Sequence, residues 1–171
     1  MSGNVFVVLL TSFALVFGLA LWYFQNYAYY EKNNLNNITM TLLNSGKEEP
    51  VKFNNIQSIN SQTSPLKFRS CFELQSDGSS WLDKYLPYEN ATPLRPPSWF
   101  NCFNVEKITS DLKLGLAKSY LSKANIEYGI DRVIAVYPNG LAYSWHQINA
   151  CGSASFSGDA LPKHCNKKES E

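Results

Sequence analysis

The chain has 171 residues, of which 44% are hydrophobic, and this length accommodates one small domain besides a targeting or membrane-spanning segment. Its 15 basic and 14 acidic side chains leave a net charge of +1, so the chain lacks the cationic surface that drives sequence-independent binding to nucleic acid. Nucleic acid is therefore not an expected partner.

An uninterrupted apolar segment lies near the N-terminus. Residues 5–24 read VFVVLLTSFALVFGLALWYF and contain no charge and no proline. A helix needs about 20 such residues to cross a hydrocarbon core of about 30 Å. A cleaved signal peptide would place basic residues before a shorter apolar run and small residues after it, whereas bulky aromatics follow this run. We therefore predict an uncleaved transmembrane helix behind a short tail, residues 1–4.

Two sets of residues in this segment predict what surrounds it. Small residues three and four positions apart share one helix face and permit a second helix to approach in lipid; they are Thr11, Ala14 and Gly18. Amphipathic rings at the C-terminal end mark a membrane–water interface; they are Trp22, Tyr23, Tyr27, Tyr29 and Tyr30. If the helix continues past the membrane, Tyr23, Tyr27 and Tyr30 contact a neighbouring subunit, and the alternative is a plain aromatic belt. The expected partners are the lipid bilayer and an integral membrane protein.

The orientation of the span rests on few residues. Lys32 and Lys47 follow it and no basic residue precedes it, which taken alone favours a cytoplasmic C-terminus. The short uncharged tail and an even number of cysteines without metal-binding spacing favour export. We expect a single-pass protein of the inner (plasma) membrane with a periplasmic C-terminal domain.

Residues 25–37 are predicted to be a juxtamembrane segment and linker, residues 38–149 a globular domain, and residues 150–171 a mobile tail. The fold class is α+β, with an antiparallel sheet of about five strands and two or three short helices on one face. The predicted strands are residues 38–43, 51–59, 66–74, 132–137 and 141–148, the last two joined by Pro138-Asn139-Gly140. The predicted helices are a short one that ends at Tyr85 and is capped from Asp77–Ser80, one capped by Asn104 and ending near Gly115, and residues 116–122.

Four stretches combine unusual aromatics with a fixed turn: YFQNYAYYE at the end of the span, SPLKFRSCF (residues 64–72), YENATPLRPPSWFNCF (88–103) and DRVIAVYPNGLAYSWHQIN (131–149). Together they resemble an uncharacterised family of single-span bacterial proteins, a domain of unknown function best known from alphaproteobacteria. The resemblance implies a fold group and no activity. Members often carry an automated histidine kinase label, which this chain does not support, because it has no room for a dimerising helical pair and an ATP-binding domain. The resemblance ends at residue 149, so Cys151 and Cys165 inherit nothing from it.

Cys71 lies in a predicted strand and Cys102 beside an aromatic loop, so the fold could bring the two together. Three interpretations are open: a disulfide, a copper-binding thiol pair, or two buried core residues. In an exported domain we expect the structural disulfide. Two thiols without a Met or His cluster make a thin copper site.

Other candidate groups carry less information. A zinc set can be written from His146, His164, Cys151 and Cys165, but His146 falls in an alternating strand, where an isolated histidine is more often packed than metal-bound. The acidic residues Asp77, Asp83 and Asp131 are expected to be solvated at cap or loop positions. The aromatics of two segments either form a binding surface or fill the core, and we expect Phe100 and Trp145 in the core.

The preferred function is non-catalytic: an accessory or assembly subunit of a membrane complex. No kinase, hydrolase or nucleotide-binding motif is recognised, and no catalytic residue or cofactor is assigned. Two alternatives remain, a thiol-dependent copper or redox protein that uses Cys71 and Cys102, and a sensory module. The thiol state separates the first from the preferred function.

Overall fold

A computed structural model describes residues 2–75, 81–163 and 165. These residues form three helices, eight strands and two short 3-10 turns, Pro65–Lys67 and Trp81–Lys84. The elements are α1 (Gly3–Asn26), β1 (Glu31–Lys32), β2 (Ile38–Thr41), β3 (Glu48–Val51), β4 (Phe53–Asn60), β5 (Arg69–Leu74), α2 (Val105–Lys113), β6 (Lys118–Glu127), β7 (Ile130–Val136), β8 (Leu141–Ile148) and α3 (Ala150–Ser157).

The strands build one antiparallel sheet of six, in the order β1-β4-β5-β8-β7-β6, and a separate hairpin of β2 and β3. This confirms the α+β class. The predicted hairpin of β7 and β8 is also confirmed, with Val136 opposite Ala142 at its turn and Ile130 opposite Ile148 at its open end. Gly140 has a φ of 85° in this turn, a left-handed conformation that glycine adopts without steric cost.

Side chains alternate between the two faces of the sheet, and each face has its own cover. On the face that we call the hairpin face, Phe72, Ile134 and Ala142 pack against residues of the β2–β3 hairpin. On the opposite or helix face, Val133 and Trp145 pack against α2 and the loop before it. The buried residues of that cover are Phe100, Phe103 and Ile108. Phe100 and Trp145 are therefore core residues, as expected.

Three elements of the domain depart from the predicted type or boundaries. The predicted helix over residues 116–122 is wrong, because β6 begins at Lys118 and pairs with β7. The predicted strand 51–59 is divided between β3 and β4, and the one over 66–74 starts only at Arg69, after a 3-10 turn. Short apolar runs fit a helix and a strand equally well, so pairing partners decided each case.

Two predicted helix starts meet different outcomes. The side chain of Asn104 accepts a hydrogen bond from the Lys107 amide at 2.9 Å, which confirms Asn104 as the N-cap of α2. The caps proposed at Asp77–Ser80 lie outside the described residues, and the segment after them is the 3-10 turn Trp81–Lys84.

The prediction of a mobile tail from residue 150 is wrong over the length of α3. Asn149 accepts a hydrogen bond from the Gly152 amide at 3.0 Å and so caps this helix. Gly152 lies directly on Gly129, since a Cβ atom added to Gly152 would stand 2.2 Å from the Gly129 carbonyl oxygen. Only glycine permits this approach. The helix was not predicted, because the composition of this segment is rich in Gly and Ser.

Helix α1 extends two residues beyond the predicted span at each end. A window of 18 residues within it has a mean hydropathy of 2.5, and none of its residues is buried against the domain. Among the described residues it is the one helix long and apolar enough to cross a membrane.

Candidate functional site

One hydrogen bond and two contacts between aromatic rings join the end of α1 to the domain. Trp99 donates a hydrogen bond from Nε1 to the main-chain oxygen of Asn26 at 2.6 Å. Its ring stacks on Tyr27, with centroids 6.3 Å apart, and meets the edge of Tyr30 at 5.9 Å. The last carbonyls of a helix have no partner within the helix, so Trp99 satisfies one of them. We call Trp99, Asn26, Tyr27 and Tyr30 the helix joint.

The loop that carries Trp99 is fixed to the sheet by a covalent bond. Cys102 is joined to Cys71 of β5, with an S–S distance of 2.10 Å and Cα atoms 6.2 Å apart. Phe100 and Phe103, on either side of this bond, are buried on the helix face. Since both sulfurs are in the bond, neither Cys71 nor Cys102 offers a thiolate for copper or for redox exchange in this structure.

The segment after α1 is attached to the sheet instead of hanging free. Glu31 and Lys32 form β1 and pair with Asn60 and Ile59 of β4. The Asn33 amide then donates to the Ser58 carbonyl oxygen at 3.0 Å. The span and the domain are therefore joined by a paired strand as well as by the helix joint.

The interface aromatics do not follow one continuous helix. Tyr27 is the C-cap of α1, so Tyr30 lies beyond the helix and contacts Trp99. The expectation that Tyr23, Tyr27 and Tyr30 extend along one helix side is wrong at Tyr30. Tyr23 and Trp22 are exposed, and both rings contact Tyr27, at 6.3 and 5.3 Å between centroids.

The candidate helix-packing residues lie on the free surface of α1. The Thr11 hydroxyl donates to the main-chain oxygen of Val7 at 2.9 Å, four residues earlier. A Cβ atom added to Gly18 would have no neighbour within 4 Å. Ala14 belongs to the same exposed helix, whose packing partner stays a prediction.

Buried charge lies beside the helix joint. Arg69, 3% exposed, donates from Nε to the Leu94 carbonyl oxygen at 2.6 Å and from Nη1 to the Leu66 carbonyl oxygen at 2.8 Å. Burial lowers the pKa of Arg69 to about 10. Desolvation also raises the pKa of Tyr30, although the Arg69 charge opposes that shift. The guanidinium therefore remains a cation at neutral pH beneath the end of α1.

His146 is a packed residue whose two ring nitrogens are both engaged. Nδ1 lies 2.7 Å from the Pro65 carbonyl oxygen, and Nε2 accepts a hydrogen bond from Arg132 Nε at 2.9 Å. Burial, and secondarily the Arg132 charge, lower the pKa of His146 to about 4. The ring is therefore neutral at pH 7, with its proton on Nδ1. Of the zinc set, Cys151 and Cys165 are bonded to each other, and His164 lies outside the described residues.

Comparison with family models identifies the group to which the chain is related. The model of DUF6446, described as a family of unknown function, matches residues 38–166, more than half of the chain. The chain belongs to this family. The match includes Cys151 and Cys165, so the resemblance extends further than residue 149, whereas YFQNYAYYE precedes the matched residues. No curated protein and no solved structure matches the chain.

The DUF6446 domain contains a buried carboxylate that sequence reasoning missed. Asp131, expected to be solvated, is 7% exposed and lies on β7. Oδ1 accepts hydrogen bonds from the Asn125 amide at 2.9 Å and from Asn149 Nδ2 at 2.8 Å, and Oδ2 accepts one from the Tyr88 hydroxyl at 3.1 Å. This network joins the last part of β6 to the start of α3. The sequence did contain a signal for this burial. Asp131 lies two residues before Val133 on β7, so the alternation of side chains along a strand places both on the same face.

At the end of the DUF6446 domain where β7 turns into β8, a cavity of about 350 Å³ opens beside the turn that joins α2 to β6, and an adjoining cavity of about 740 Å³ extends along β6 to Tyr88 and Thr92. They share Leu82, Lys118 and Tyr120 in their linings. Leu114 and Leu116 stand next to them with 69% and 54% of their surface exposed. This end offers volume and apolar surface, and the described residues there include no cluster of three His, Cys, Asp or Glu side chains able to hold a metal ion.

Proposed function

We propose that the protein is a single-pass membrane protein of the bacterial inner membrane whose domain lies in the periplasm. Helix α1 has 24 residues, a length of about 36 Å, which exceeds a hydrocarbon core of about 30 Å. The two disulfides support an oxidising compartment, because cytosolic thiols are kept reduced.

We further propose a non-catalytic role as an accessory or assembly subunit of a membrane complex. The observation that carries this role is the combination of an α1 without any buried residue and a helix joint that fixes α1 to the domain. A helix held in this way presents Ala14 and Gly18 at a defined angle, which favours recognition of a partner helix over simple tethering. The bonded state of Cys71 and Cys102 supports this role over copper binding, which needs free thiolates.

Protease accessibility tests the topology. A membrane-impermeant protease added to spheroplasts should digest the domain while α1 stays protected by the bilayer. Mass spectrometry of peptides without reduction should find Cys71 linked to Cys102. Complete protection of the domain until the cells are lysed would place it in the cytoplasm, and free alkylated thiols at both positions would favour the thiol-dependent alternative.

Substitution of Gly18 tests the subunit role. Gly18→Leu fills the small-residue face of α1 and should release the protein from its complex on native gels after mild detergent extraction. Leu15→Ile, a change of shape on a neighbouring face of the same exposed helix, is the matched control and should leave the complex intact. The domain should stay equally stable in both variants, because Gly18 has no neighbour within 4 Å. Identical assembly of both variants would show that α1 only anchors the domain.

A further inference from the structure

A lysine distant in sequence lies against the tyrosines that follow α1. Lys67 ends the 3-10 turn before β5 and is half-buried. Its ammonium nitrogen stands 5.4 Å from the centroid of the Tyr29 ring and 5.2 Å from that of Tyr30. An ammonium group within about 6 Å of a ring centroid is attracted by the negative face of the ring. The two rings therefore hold the charge of Lys67 at a fixed place.

This charge has no carboxylate partner among the residues that the structure describes. Among the described residues, no carboxylate oxygen lies within 4.0 Å of the Lys67 nitrogen, whose nearest polar contact is the Thr63 hydroxyl at 3.4 Å. Arg69, two residues later, donates its hydrogen bonds to main-chain oxygens and forms no ion pair with a described residue. The acidic residue of β1, Glu31, accepts a hydrogen bond from Gln62. A cation that is held in place and has no carboxylate within reach among the described residues favours an anion from outside the chain.

The position of Lys67 relative to α1 indicates which anion. Tyr29 lies three residues beyond the last residue of α1, and its ring stacks on Phe24 inside the helix, with centroids 6.0 Å apart. Tyr30 belongs to the helix joint. If α1 spans the bilayer, both tyrosines lie where aromatic rings collect, at the level of the lipid headgroups. The Lys67 ammonium is then placed at the depth of the lipid phosphates.

We propose that Lys67, held between Tyr29 and Tyr30, binds the phosphate of an anionic phospholipid in the leaflet that the domain faces. The inference rests on the proposed membrane insertion of α1. The site is part of the protein surface that surrounds the exit of the span, and the lipid supplies the counter-charge that the described residues do not. A basic side chain near an anionic bilayer surface gains from such contacts, and each contact weakens with salt.

The experiment uses the full chain in nanodiscs of phosphatidylcholine, with or without added phosphatidylglycerol. A ligand that binds the folded state raises its unfolding temperature, so the anionic lipid should raise the Tm of the domain by about 2–4 °C. Lys67→Gln should abolish this shift, and Tyr29→Leu, at an exposed ring, should reduce it. Lys47→Gln removes the same charge from an exposed turn away from the helix joint and should keep the shift.

Three results would overturn the proposal: a shift that persists in Lys67→Gln, a shift that Lys47→Gln also loses, or no shift in the unmodified protein. Inorganic phosphate added to nanodiscs of phosphatidylcholine alone should leave the Tm unchanged. An equal rise with inorganic phosphate would overturn the assignment to lipid. Failure of the chain to enter nanodiscs would instead contradict the membrane insertion itself, so the two proposals fail separately.

Discussion

The two ends of the six-stranded sheet are built differently. At the end nearest α1, where Arg69 and His146 lie, buried polar groups, the helix joint and β1 hold the chain. The Cys71–Cys102 bond ties the loop that carries Trp99 to the sheet. At the far end, where β7 turns into β8, one cavity opens beside the exposed Leu116, and a second cavity extends from it along β6.

The difference indicates that the contacts that stabilise the domain and the surface that is open to solvent lie at different ends of the sheet. Covalent and hydrogen-bonded contacts near α1 fix the orientation of the domain relative to the span. Regions with few buried apolar contacts open at lower free energy than cores, so the far end can adapt to a partner at little cost. Substitutions at the two ends should therefore have effects of different size.

The largest effect is expected from removing the bond between Cys71 and Cys102. The double variant Cys71→Ser/Cys102→Ser should lower the free energy of unfolding by about 2–5 kcal/mol, because the bond closes a loop with a sequence separation of 31. Release of the loop should also loosen the helix joint. Hydrogen exchange should then accelerate at the amides of Tyr27–Asn33, and urea unfolding should give the loss of stability.

The second disulfide supplies the control. Cys151 and Cys165 are separated by only 14 residues, and the bond fixes the segment after β8 outside the sheet. Cys151→Ser/Cys165→Ser should cost less, since the chain-entropy contribution falls with loop length. It should leave exchange at Tyr27–Asn33 unchanged. A greater loss of stability from this pair would contradict the dominance of the joint.

The next effect is a loss of stability in acid caused by His146. The unfolded chain binds a proton at the ordinary pKa of 6.5, whereas burial and Arg132 keep the folded ring neutral until the pH approaches about 4. Stability is therefore complete above about pH 7 and decreases as the pH falls through 6.5 towards 4. The loss should reach about 2 kcal/mol at pH 5.

Urea unfolding of the unmodified protein at pH 8 and pH 5 measures this loss. His146→Gln removes the titrating ring, so its stability should vary much less between these two pH values, although it will be lower at both. An equally steep dependence in the variant would show that other groups titrate in this range. The end of the sheet near α1 would then not be the acid-sensitive part of the domain.

Much of the fold could be predicted because local patterns and tertiary contacts agree there. Asn104 caps α2, and Asn139-Gly140 turns β7 into β8, since both signals act within a few residues. Residues 116–122 were ambiguous, because Leu116, Tyr120 and Leu121 suit either period. Their strand conformation is decided by pairing with β7, which lies later in the chain.

The candidate site was harder to predict, since it depends on residues far apart in sequence. The hydrogen bond between Trp99 and Asn26 spans 73 positions, and no local pattern in either segment indicates it. The Lys67 contacts with Tyr29 and Tyr30 span 38 and 37 positions and are likewise not local. The composition predicted the cluster of aromatic residues after α1, but it did not predict that the loop with Trp99 contacts them.

The smallest effect is expected at the far end, from Leu116→Ser. Leu116 is 54% exposed in the turn after α2, so the unfolded and folded states expose much of the same apolar surface. Substitutions at such positions usually change stability by less than about 0.5 kcal/mol.

The same substitution at a buried leucine shows how large the loss of stability is when the side chain is packed in the core. Leu121 is 8% exposed on β6, only five residues further along the chain, and Leu121→Ser should cost about 2–5 kcal/mol through lost burial and a cavity. Urea unfolding of both variants under one condition measures the contrast. A loss above about 1 kcal/mol for Leu116→Ser would mean that Leu116 packs in solution against the neighbouring cavity wall near Leu82 and Pro138. The far end would then be closed, and its cavity would not be accessible to a partner protein.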